Sequence, residues 1–268
     1  MASFADSNAP ISMQIAFVDA STPPFDLAFN KVAAAVTGGR FCHCEVCFDN
    51  ISLKKLRILA TSLSDFDPKQ KRAKEALRSI LMLFPPDEQN EKITIAFYAL
   101  QGMPLGVRVL SDRNSDLFLR KYTNAWKVYR IIDAPLTVVA HQLYWALCQV
   151  GKPYDTMGAL TCPLKTNTRQ LEADRDTWFC SNHALRFLQH IALCQNMSLR
   201  CTTPNSLEKA LNVIYKESIA TSSDKDYKAE EEPSVCDLVL DQSHWSAIKD
   251  FVPFVINFDH LEWDRDGK

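Results

Sequence analysis

Three short apolar segments, KITIAFYAL, VRVL and WKVYRII, follow one another, separated by turn residues and by the polar segment SDRNSD. Strand candidates so closely joined predict an antiparallel sheet. Two earlier runs fit the same sheet, MQIAFVD as a short buried strand and FCHCEVCF as a second, flanked by aromatics. Helical patterns alternate with these strands, so the expected class is α+β, a sheet packed against helices.

The first helix is expected in PFDLAFNKVAAAV, opened by a proline and closed by Gly38 and Gly39. DPKQKRAKEALRSILMLF starts with a capping aspartate and a proline and ends before Pro85 and Pro86, which predicts a helical insertion over about 54–90. LTVVAHQLYWALCQV has helical periodicity and stops at Gly151, and CSNHALRFLQHIALCQ is a further helix. Asn205 with Glu208 three residues on has the form of a capping box, opening a helix to about Tyr215. Residues 1–220 are therefore expected to form one main domain. TSSDKDYKAEEEP, residues 221–233, has the composition of a polar linker. Residues 234–268 form an apolar appendage able to dock, either on this chain or on a protein partner. No internal repeat is visible.

The 30 basic and 32 acidic side chains nearly cancel, so the net charge of -2 gives no electrostatic footprint for nucleic acid or anionic lipid. FVPFVINF is too short to span a bilayer and is interrupted by Pro253, so no transmembrane segment is expected. The cysteine count of nine is odd, and MASFADSNAP lacks the features of a secretory signal. Reduced thiols in a cytoplasmic setting are expected.

The segment DTWFCSNHALRFL puts Cys180 at the mouth of an amphipathic helix. Unpaired amides and the positive end of the helix dipole favour the thiolate there. Cys180, Ala184, Phe187, Leu188 and Ile191 share one side of that helix, so the sulfur points toward whatever the apolar face covers. Most buried cysteines are simply small hydrophobes, and a nucleophile needs a base within reach. Of six histidines, His43 stands out: it lies in a strand, and Glu45 two residues on shares its face and is placed to orient an imidazole. His183, one turn from Cys180, is expected at the surface; His141 and His190 sit within helices, and His244 and His260 lie in the appendage. Cys42, Cys44 and Cys47 around His43 raise the question of zinc, but an extended strand converges four ligands poorly and no second pair answers them. No metal and no other cofactor is expected.

At these residues the sequence resembles the circularly permuted branch of the papain-like NlpC superfamily, in which the histidine strand precedes the cysteine helix. The resemblance rests on the leading strand and helix, on histidine followed two residues later by glutamate in FCHCEVCF, on GKPYD before the helix, and on WFCSNHALRFL. It covers roughly Met13 to Tyr215. It implies a Cys180 nucleophile, a His43 base, Glu45 as third triad member, Tyr154 beside the oxyanion and a structural Asp155. Asn182 departs from the acidic residue common in relatives, the strand is unusually rich in thiols, and the insertion is long.

The function so implied is a cysteine-dependent hydrolase, an amidase or peptidase acting through a thioacyl-enzyme. A lipid acyl hydrolase or acyltransferase is the alternative within the fold, and a non-catalytic binding module the alternative outside enzymes. The expected substrate is a peptide, amide or acyl lipid.

Overall fold

The structure is a computed structural model and describes residues 11–23, 25–110, 126–164, 176–221, 235–240 and 242–249. In chain order the elements are β1 Ser12–Asp19, α1 Ala28–Val36, β2 Phe41–Ser52, α2 Leu53–Ser62, α3 Pro68–Leu81, β3 Lys92–Tyr98, β4 Gly106–Val109 and β5 Trp126–Ile132. Then come α4 Leu136–Gln149, α5 Thr156–Thr161 with a 3-10 turn Cys162–Leu164, α6 Cys180–His190, α7 Pro204–Thr221, β6 Val235–Val239 and α8 Gln242–Lys249. The class is α+β. The polar segment expected as a linker lies, after Thr221, outside the described residues, as does the chain beyond Lys249.

Six strands form one sheet in the order β4-β3-β2-β1-β5-β6. The sheet is mixed rather than wholly antiparallel as expected, because β6 runs parallel to β5. A hundred residues carrying α4 to α7 separate the two strands, ample length for the chain to return in the same direction. The segment read as an appendage thus supplies the sheet's last strand, clamped by Arg130 to Asp237 at 2.6 and 2.9 Å.

Side chains alternate across the sheet and separate its two faces. On one face Met13, Ile15 and Phe17 of β1, Cys44, Val46 and Phe48 of β2, and Tyr129 and Ile131 of β5 join the main core with residues of α2, α3, α4, α6 and α7. On the other, Ala16, Val18, Cys47 and Ala96 form a smaller apolar group with Phe25, Leu110 and Val128 against it. The insertion consists of two helices, α2 and α3. Ser52 caps α2 through the Lys55 amide, and Asp67 caps α3 through the amides of Lys69 and Gln70, as its Asp-Pro start predicts.

Asn205 and Glu208 do not cap a helix. They lie inside the first turns of α7, whose start is held instead by Thr203 and Ser206, each accepting from the other's amide. Asn205 reaches back across the chain: its amide group binds the Phe41 N–H at 2.9 Å, the Phe41 carbonyl at 3.0 Å and the Thr37 hydroxyl at 2.6 Å. Gly39 makes room for this clamp, since a Cβ there would stand 2.2 Å from the Asn205 carbonyl oxygen. Glu208 takes the buried Lys127 ammonium at 2.7 Å and the Tyr129 hydroxyl at 2.8 Å, tying α7 to β5. The pattern was that of a cap; the partners are distant in sequence.

Asn205→Ala strips the entry to β2 of its only side-chain partners among these bonds and leaves the Phe41 amide group buried without them. The expected cost is about 2–4 kcal/mol, read as a lower urea midpoint with an unchanged slope.

Candidate active site

β2 is twelve residues long and β3 only seven, and their pairing runs from Val46 to Ser52. The half of β2 that carries His43 and Cys44 therefore projects past β3. A bulge lies here too: Val18 pairs with His43 and Asp19 with Phe41, so Cys42 is the extra residue.

Backbone hydrogen bonds fill the space next to β3. The residue before β4, Leu105, exchanges bonds with Gly151 and Lys152, both 2.8 Å. Pro153 and Asp155 in turn bond Trp178 on both sides, each 3.0 Å, so GKPYD runs parallel to the entry of α6. This lacing sets Cys180 as the first residue of α6 beside the projecting half of β2. The Phe179 amide is taken by the Asn182 side chain at 2.8 Å, and the Ser181 hydroxyl is fixed to the Thr202 carbonyl at 2.7 Å. Asn182 thus does the work a capping carboxylate would do at that turn.

The structure brings together all four residues singled out from the sequence. Cys180 and His43 are hydrogen-bonding neighbours, and each moves the other's ionisation. The Cys180 thiol is held well below its ordinary range, first by a hydrogen bond from the Cys44 side chain, then, against the effect of burial, by the His43 charge and hydrogen bond and the Cys44 backbone amide. Burial alone would lower the His43 pKa; the Cys180 sulfur, and after it Glu45, outweigh burial and raise it to about 9. Both shifts run in the direction that favours thiolate and imidazolium over the neutral pair. His43 Nε2 lies 3.1 Å from Glu45 Oε1, so residues two apart on one strand do touch.

Pairing with Val18 and Ala16 puts His43 and Glu45 on the sheet face of the smaller apolar group, while Cys180 belongs to the main core. The helix face that carries the sulfur meets Cys44, and His43 comes from the opposite side of the same strand. They meet because β3 has ended. His43 is 4% exposed, Glu45 1% and Cys180 8%, so the constellation is almost dry. Phe25 stacks on the imidazole with centroids 5.5 Å apart and planes 13° from parallel.

Tyr154 is half-buried, and its hydroxyl pKa is pushed far up, by burial first and then by the Cys180 charge. It stays a hydrogen-bond donor. Asp155 caps α5 through the Gly158 amide at 2.7 Å, a structural task.

Two neighbours were not read from the sequence. Arg108 on β4 grips both Glu45 oxygens at 2.6 and 2.5 Å and lies over the Tyr98 ring at 5.0 Å. Its strand was visible, but nothing in VRVL tells which strand it faces. Cys44 was seen only as a possible metal ligand. Among the described residues, no group of three or more His, Cys, Asp or Glu is arranged to hold a metal ion.

His183 is not at the surface. It is 2% exposed, because α4 covers that side of α6 and Trp145 stacks on its ring at 5.2 Å.

Comparison with known proteins adds no relative: no family model, no curated protein and no solved structure matches the chain significantly.

An ordinary thiol loses reactivity about tenfold per pH unit below its pKa. With iodoacetamide, Cys180 is expected to react nearly as fast at pH 6 as at pH 8, whereas the same thiol in His43→Ala should slow about 100-fold over that interval. Peptide-resolved alkylation rates make the comparison.

Proposed function

We propose that the chain is a cysteine-dependent hydrolase that cleaves an amide or peptide-like bond through a thioacyl-enzyme, on a permuted papain-like arrangement. One observation carries this: the thiol at the first residue of a helix lies beside an imidazole whose Nε2 is bound by a buried carboxylate, and the shifts of both groups favour the ion pair. The chain order supports the permuted arrangement, since the histidine strand β2 precedes the cysteine helix α6.

The chemistry follows from the groups in place. The Cys180 sulfur attacks the carbonyl carbon, and negative charge gathers on its oxygen. The backbone amide of Cys180 at the helix start and the Tyr154 hydroxyl are the donors available to it. The His43 imidazolium then protonates the leaving amine, and a thioacyl-enzyme remains. Neutral His43 next takes a proton from water, whose oxygen displaces the sulfur and restores the pair. Glu45 holds the ring in orientation, and Arg108 holds Glu45.

A lipid acyl ester is the second substrate class, favoured by one observation. Phe29, Val32 and Val36, spaced three and four apart on α1, are all exposed, and α1 begins three residues after the Phe25 that stacks on His43. The same thiolate and imidazolium would serve either bond.

A panel of acyl anilides and acyl esters, with short and long chains, tests the proposal. Cys180→Ala is expected to abolish turnover of whichever member is cleaved; a variant that retains the parent's full rate overturns the cysteine mechanism, and a parent that cleaves no member leaves the binding module. The kcat/KM profile should rise as Cys180 ionises, well below the usual thiol range, and fall as His43 loses its proton near pH 9. Above that pH the leaving group has no acid.

Arg108→Gln removes the grip on Glu45 while leaving the reacting atoms in place. Its expected signature is a roughly tenfold fall in kcat with little change in KM, as for a lost orienting bond.

A further inference from the structure

None of the nine cysteines is in a disulfide, and three of them, Cys42, Cys44 and Cys180, converge where β2 meets the start of α6. Cys42 turns its sulfur to the Val18 carbonyl at 3.7 Å. Cys44 differs. It lies on the sheet face that α6 covers, shares the main core with Cys180, is 1% exposed, and hydrogen-bonds the Cys180 sulfur through its own side chain. The two thiols sit on a strand and a helix that pack directly on each other, with Cys44 on the strand face that the helix covers, so a disulfide between them would join neighbouring elements.

We propose that Cys180 and Cys44 form a peroxide-reactive dithiol site, in which Cys180 is oxidised and Cys44 closes a disulfide onto it. This does not rest on the hydrolytic proposal, since no acyl substrate takes part.

The roles of the two sulfurs are unequal. Cys180 is the thiolate, while burial first, and the neighbouring Cys180 after it, hold Cys44 well above the ordinary thiol range. The Cys180 sulfur attacks one peroxide oxygen: an S–O bond forms, the O–O bond breaks, and the departing oxygen takes the His43 proton and leaves as water or an alcohol. Cys180 is now a sulfenic acid, the peroxide is reduced by two electrons, and His43 is neutral. Neutral His43 takes the Cys44 proton, the Cys44 sulfur attacks the Cys180 sulfur, the S–S bond forms and the S–O bond breaks. The hydroxyl leaves with the His43 proton as a second water. In sum, two thiols and a peroxide give a disulfide and two molecules of water, or one of water and one of alcohol.

The test uses the full chain, hydrogen peroxide and no other substrate. Reaction is followed by alkylation in denaturant and non-reducing tryptic mass mapping. The wild type is expected to lose two hydrogens and to yield the peptide Phe41–Lys54 joined to Asp176–Arg186, with fragmentation placing the bond on Cys44. Cys42→Ser should give the same bond. Cys44→Ser and Cys44→Ala, each checked for native circular dichroism, should lose it and carry Cys180 on to sulfinic acid. Should both Cys44 variants fail to fold, fragment assignment in the wild type decides alone. A wild type that does not react, that reaches sulfinic acid without the bridge, or that bridges through Cys42 or Cys47 overturns the proposal. Loss of hydrolysis in Cys180→Ala, or its absence in every variant, bears on the hydrolytic proposal and leaves the wild-type bridge to be read by itself.

Discussion

Four groups of alternating charge stand in line at the centre of this molecule: the Cys180 sulfur, the His43 imidazole, the Glu45 carboxylate and the Arg108 guanidinium. No pair of them would be stable alone in so dry a place, because each buried charge costs several kcal/mol in lost solvation and one partner repays it only in part. Linked in series, each inner charge has an opposite neighbour on both sides. The sulfur at the end of the line has no second ion. It is served instead by the side chain and backbone amide of Cys44 and by the open first turn of α6. Because His43 Nε2 is given to Glu45, the ring has only Nδ1 left for the sulfur, and a rotation that improved one bond would weaken the other.

Much of this was legible locally. The strand and helix order, the Asp67 cap and the stop of α4 before Gly151 followed from residues close in sequence. The proximity of His43 and Glu45 followed from the two-residue repeat of a strand. What could not be read was decided by partners far along the chain. Asn205 and Glu208 satisfy the spacing of a cap, but their side chains are claimed by Phe41 and by Lys127, more than eighty residues away in one case and over a hundred and sixty in the other. His183 was misplaced for a related reason. An amphipathic count on α6 finds the face toward the sheet, whereas α4 lies over a second face that no periodicity in α6 announces.

The same limit explains the two missed neighbours of the site. Arg108 and Glu45 come from strands on either side of β3, so their meeting depends on register and on length of side chain, neither of which VRVL declares. Cys44 was assigned by its neighbours in sequence to a cysteine cluster around a histidine. In the fold, alternation sends it to the opposite face from His43, and it reaches the sulfur from the helical side.

Residues adjacent on a strand cannot act on one atom from a flat sheet, since the sheet itself separates them. His43 and Cys44 act together on Cys180 only at a free strand edge, where a third element enters beside the strand and meets both faces. The edge exists because β3 stops at Tyr98 and the chain turns through Leu100 and Met103 before Leu105 joins the GKPYD backbone. Three more paired residues on β3 would occupy the place where α6 begins. The end of β3 is thus as much a condition of the site as the residues in it, and a strand's end, unlike a strand's face, leaves no repeat in the sequence.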